Sequence, residues 1–157
     1  MVSYERWAAS RERVDALPAD RQAAFALACA AGAVGDRTGL LAALEGGWSA
    51  LVDGTDVTEV VLELARGQEL DDDPVAATGY ALCAVQGEAG AAWWAASRAV
   101  DHAFAGVRYD AAESAFRSLE VDAQDPFVRA EFARQAQLLQ VVESATDLSE
   151  AVARLRA

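Results

Sequence analysis

His102 is the only histidine in the chain, and it lies near Trp94, Arg98 and Asp101 on one face of any helix that contains them. Residues three, four and seven apart stack above one another along a helix, so these side chains can share a surface. Two kinds of chemistry fit the set. His102 could serve as acid or base in a small polar pocket in which Arg98 clamps an anion. Alternatively, the set is the edge of an amphipathic helix on which Arg98 pairs with a nearby carboxylate. Catalysis requires groups that converge from several segments, which one helix cannot supply, so no residue is assigned a catalytic role. Trp93 and Trp94 are adjacent and must point in different directions. One belongs to the core, and the other is a candidate contact for a partner or ligand, since tryptophan is enriched at binding hot spots.

The run Asp71-Asp72-Asp73-Pro74 is the densest group of carboxylates, but it lacks the alternating oxygen ligands, central glycine and distal glutamate of a calcium-binding loop. It reads better as a helix start, with Asp73 as N-cap and Pro74 as first helical residue. Asp71 and Asp72 then remain candidate contacts for a partner. The Glu-x-x-His pair of di-iron bundles is missing, because Ala99 stands three residues before His102. Gly87 and Gly90 lack the lysine and the preceding strand of a phosphate loop. Ser49, Ser97 and Ser114 sit outside any nucleophile elbow. The expectation is a protein without a metal or a cofactor.

The elements that would carry these residues are helical. Alanine, the strongest helix former, makes up about a quarter of the 157 residues. Apolar residues recur at helical spacing, while the strict alternation of half-buried strands is absent. The first helix is expected over Tyr4 to Leu17. The second runs from Pro18 to Ala33, with Phe25 and Cys29 on one face and Gly35 ending it. The third covers Thr38 to Val52, with a stripe of Leu40, Leu44, Trp48 and Leu51 and an interruption at Gly46 and Gly47 that marks a kink or a close helix crossing.

Asp56 and Glu59 form a capping-box pattern that opens a fourth helix buried through Val57, Val60, Val61 and Leu64. The fifth reaches about Gln86 and turns through Gly87 and Gly90 into the sixth, Ala91 to Ala105, as an antiparallel hairpin. A short helix from Asp110 to Leu119 is expected next. Asp125 and Pro126 repeat the cap-and-proline signal for a helix carrying Val128, Phe132, Gln135, Leu139 and Val142, and Asp147 caps a last helix from Leu148 to Leu155. No linker divides the chain, and no repeat of solenoid period occurs. The expected architecture is all-α: a single domain, residues 1–157, built as a bundle of about seven or eight antiparallel-packed helices.

The net charge is -12, and all 13 basic residues are arginine, a bias that a GC-rich genome explains. A chain with pI near 4.4 and no basic cluster repels phosphate, so nucleic acid is excluded as a partner. The longest apolar stretch, Ala23 to Val34, is too short and too rich in alanine to span a bilayer, and Met1 to Trp7 has no signal-peptide pattern. Cys29 and Cys83 lie within apolar helical patterns without a neighbouring cysteine, as reduced core thiols do. Together these features predict a cytoplasmic protein that does not enter the membrane.

Four segments carry a family resemblance: Ala24-Phe25-Ala26-Leu27-Ala28-Cys29-Ala30; Leu40-Leu41-Ala42-Ala43-Leu44 with Trp48 and Leu51; Gly79-Tyr80-Ala81-Leu82; and Glu131 to Glu143 with its Arg134-Gln135 and Leu138-Leu139 pairs. Together they resemble the YjaG-like family of small helical bacterial proteins. The chain departs from that pattern after Cys29, where Ala31-Gly32-Ala33-Val34-Gly35 replaces a longer charged continuation. The resemblance implies an all-helical fold and carries over no functional residue.

Two classes of function are therefore expected. In the first, a non-enzymatic acidic helical protein binds a basic partner protein, as immunity proteins and antitoxins do when they mask cationic effectors. In the second, a small enzyme or ligand-binding protein uses a pocket between helices near Trp94, Arg98 and His102.

Overall fold

A helix whose whole circumference is apolar must be enclosed by other elements, and Ala23 to Ala30 meet that condition. In the computed structural model, which describes residues 3–67, 71–107 and 122–157, all eight of these residues are buried. They lie in α3 (Ala19–Val34), the central helix. Around it pack α4 (Thr38–Asp53), α6 (Asp73–Val85), α7 (Ala91–Ala105), α8 (Pro126–Ser144) and α9 (Leu148–Arg156). The described residues contain helices and no strand, so the protein is an all-α bundle. The expectation of one buried face through Phe25 and Cys29 is too narrow. Alanines on the remaining faces let neighbours approach from every side.

The expected first helix is broken in two, α1 (Tyr4–Ala9) and α2 (Arg11–Asp15). Ser10 causes the break, because its hydroxyl donates to the Trp7 carbonyl at 2.5 Å while its own N–H also turns back to that oxygen at 2.9 Å. Serine side chains compete with the helical ladder in this way. Trp7 thereby enters the core at the end of a short helix. Its ring stacks on Trp93 at 4.8 Å and on Phe132 at 5.6 Å, and Tyr4 and Phe104 meet Phe132 edge-on.

α4 passes through Gly46 and Gly47 without interruption. The pair marks a close crossing, since a Cβ on Gly47 would lie 2.6 Å from Leu27 Cδ2 and 3.0 Å from Leu82 Cδ2. α5 (Thr58–Gly67) starts two residues after Asp56, whose Oδ1 accepts from both the N–H and the hydroxyl of Thr58. Of its expected buried residues only Val57 is fully enclosed, and Val60, Val61 and Leu64 are half-buried. α5 therefore leaves space against its neighbours.

The cap of α6 is Asp72, not Asp73. The Asp72 carboxylate accepts from the Val75 N–H at 3.2 Å, and Pro74 falls within the first turn. A five-residue connection with Gly87 and Gly90 at positive φ, where side chains are strained, folds α7 back onto α6. Asp125 caps α8 and Asp147 caps α9, each through its carboxylate. All five residues of the α8 stripe, Gln135 included, are buried. The expected helix from Asp110 to Leu119 lies outside the described residues. No helix among the described residues is long and apolar enough to cross a membrane.

Candidate functional site

α7 separates the two tryptophans by the turn of one residue. Trp93 faces inward and is part of the stacked aromatic core with Trp7, whereas Trp94 is 47 % exposed. The ring of Trp94 lies 6.4 Å from that of Tyr80 on α6, itself 38 % exposed, and the guanidinium of Arg11 sits 5.7 Å from its centre. A cation at that distance is attracted to the ring face. Two aromatic rings from neighbouring helices therefore lie on the surface side by side, with the Arg11 guanidinium over one of them.

One turn further along α7, Arg98 reaches the start of α6. Its Nε lies 2.8 Å from Asp73 Oδ1, an ion pair between the two helices. Its Nη2 donates to the Asp71 carbonyl at 3.3 Å. The arginine pairs with a carboxylate, as the amphipathic-edge reading expects. Asp101 lies near the same pair. Burial, and then the charge of Asp73, raises its carboxyl above the ordinary aspartate value against the pull of Arg98. Asp72 faces Arg37 instead, at 2.9 and 3.0 Å. Its slight burial opposes ionisation, but the hydrogen bonds from Arg37 and the Val75 N–H outweigh this and hold it below the usual carboxylate range.

Arg98 also borders a cavity of about 280 Å³ between α5, α6 and α7, whose other walls include Val61, Leu64, Val75, Gly79, Tyr80 and Cys83. Cys83 is half-buried, not a core thiol. Burial, followed by a hydrogen bond and the charge of Glu88, pushes it up to about 11. Ser97 donates its hydroxyl to the Trp93 carbonyl at 2.8 Å.

His102 does not join Arg98 at this cavity. It borders a different hollow, about 190 Å³, with Gly32, Phe127, Glu131 and Arg134. The pocket imagined near Trp94, Arg98 and His102 is thus divided: Arg98 lines one space, His102 another, and Trp94 neither. Among the described residues, no three of the metal-ligating types gather closely enough to hold an ion.

Among the described residues lies an extended polar network that the sequence pattern does not single out as a site. Arg134 donates to the Ala28 and Cys29 carbonyls of α3 at 3.0 and 2.9 Å and grips Glu131 through two nitrogens at 2.9 Å each. Gln135 donates to Glu131 and to the Ala96 carbonyl, and accepts from the Trp7 indole at 2.7 Å. Cys29, wholly buried beneath this network, has its thiol pushed far up by desolvation. The network joins α1, α3, α7 and α8, and its donors and acceptors are taken up by one another. Its work is structural. Glu131, Arg134 and Gln135 occur at helical spacing in the sequence, and that spacing is the only signal that could have grouped them.

The class that fold and surface define is an acidic all-α bundle with an exposed aromatic pair beside an apolar cavity. Among known proteins, no family model, curated protein or solved structure matches the chain.

Proposed function

We propose that this protein is a non-enzymatic binding module that engages a basic partner protein through the α6–α7 face centred on Trp94 and Tyr80. The observation that carries the reading is the exposure of Trp94 beside Tyr80 on a chain of net charge -12. Charge of one sign steers a cationic partner and speeds encounter, while a desolvated aromatic anchor supplies the affinity that screened surface charge does not. Masking of a cationic effector, the task of an immunity protein or antitoxin, is the form of binding that this charge favours. The likeness to the YjaG-like family rests on the sequence segments and assigns no residue a role.

The test is capture from the native cell extract at low and high salt, with wild-type protein and with Trp94→Ala. One basic partner retained at low salt, weakened as the Debye length contracts from about 10 Å at 0.1 M to about 3 Å at 1 M, and lost in Trp94→Ala, is the expected result. Retention that ignores both salt and Trp94 refutes the reading.

A further inference from the structure

We infer that the cavity between α5, α6 and α7 is a socket for one aliphatic side chain of the basic partner, presented between arginine or lysine residues. The inference rests on the partner-binding reading above. The cavity opens beside Tyr80, so an anchor seated there lies next to the aromatic pair. Its volume of about 280 Å³ is larger than the roughly 150 Å³ of an enclosed apolar cavity that accepts a benzene-sized guest, so one aliphatic side chain fits. Most of the wall is aliphatic, from Val61, Leu64, Val75 and Ala76, with Gly79 adding no side chain at all and Arg98 at one end. A Cβ built on Gly79 meets only Leu64 Cδ2, at 3.6 Å, so the space there is real and can be filled.

Charge complementarity selects the occupant. At one end of the cavity Asp73 and Asp101 share the single guanidinium of Arg98. At the other, Glu88 lies against the Cys83 thiol. An aliphatic residue with cations on both sides meets carboxylates at both ends. An acidic segment meets repulsion there, and a second copy of the chain would bring -12 against -12.

Cys83 supplies the reporter, because it lines the cavity while Cys29 is completely buried and serves as the internal control. The probe is the peptide acetyl-Arg-Arg-Leu-Arg-Arg-amide. The measured quantity is the concentration that halves the rate of Cys83 alkylation, read by mass spectrometry at low salt. Because burying a leucine side chain is worth more than a factor of ten, this peptide should half-protect Cys83 at a concentration at least about tenfold lower than its serine counterpart. Its binding, followed by anisotropy of a labelled copy, should fall to the serine level in Gly79→Leu, with Gly79→Ala as the milder filling variant. Melting temperature reports whether each variant is folded.

Equal protection by the serine peptide or by Glu-Glu-Leu-Glu-Glu overturns the socket. So does an absence of protection at the solubility limit of the leucine peptide. A socket overturned while Trp94-dependent, salt-sensitive capture persists leaves the partner-binding reading intact. Loss of that capture, whatever the peptides do, strikes the partner-binding reading itself.

Discussion

Gly32→Ala should reverse the sign of its effect on stability according to what stands at position 134. The guanidinium of Arg134 lies directly over Gly32, where an added Cβ would come within 2.1 Å of Nη2 and 2.3 Å of Cζ. The methyl group must expel that guanidinium, breaking its bonds to the Ala28 and Cys29 carbonyls and its double contact with Glu131, which is only 12 % exposed. Single hydrogen bonds to charged groups contribute about 1.5–3 kcal/mol, and a displaced guanidinium regains water, so a loss of about 3 kcal/mol is expected for the set. Alanine gains up to about 1 kcal/mol over glycine inside a helix. The net is a destabilisation of about 2 kcal/mol, or about 4–8 °C in melting temperature for a chain of this size.

In an Arg134→Met background there is no guanidinium to expel, and the same Gly32→Ala change should stabilise the protein by about 1 kcal/mol. Thermal and urea denaturation of the four proteins, followed by far-ultraviolet circular dichroism, complete the cycle. An equal rise in midpoint in both backgrounds would refute the placement of Arg134 across α3.

Gly47→Ala should cost about 1–2 kcal/mol in urea denaturation despite alanine's better helix propensity, because its methyl is driven into Leu27 and Leu82 at the crossing of α4 with α3 and α6. The Cys83 thiol, held up by burial and by Glu88, exposes little thiolate at neutral pH and should alkylate slowly. Glu88→Gln removes the negative charge beside the thiol, so the rate inflection should move to lower pH and alkylation at fixed pH should speed up. An unchanged inflection would show that burial alone sets it, and Cys29 should stay unreacted until denaturation.

What the sequence revealed follows the range of the forces involved. The α8 stripe from Val128 to Val142 is legible because alternating steps of three and four residues place it on one face, and every member is buried. Caps at Asp125 and Asp147 are legible because the bond each makes lies within three residues. The α6 cap shifts by one because Arg98, distant in sequence, takes the Asp73 carboxylate, while that of Asp72 accepts from both Arg37 and the Val75 N–H. Adjacency could not decide between Trp93 and Trp94. That choice is made by Trp7, which offers a stacking surface from the other end of the chain. The role of Gln135 was hidden for the same reason, since its partners on α1 and α7 lie 128 and 39 residues away. The cavity beside Arg98 depends on how far α5 stands from α6, and no periodicity encodes a gap.

The hydrogen bond from Trp7 to Gln135 closes across 128 residues, and this has a temporal consequence during synthesis. At about 5–20 residues per second, Trp7 waits about 6–26 s after its own addition before Gln135 is made. α3 and the α6–α7 hairpin are complete well before then, so they can associate while α8 is still unmade. Throughout that interval the indole of Trp7 has neither its polar partner nor Phe132 to stack on.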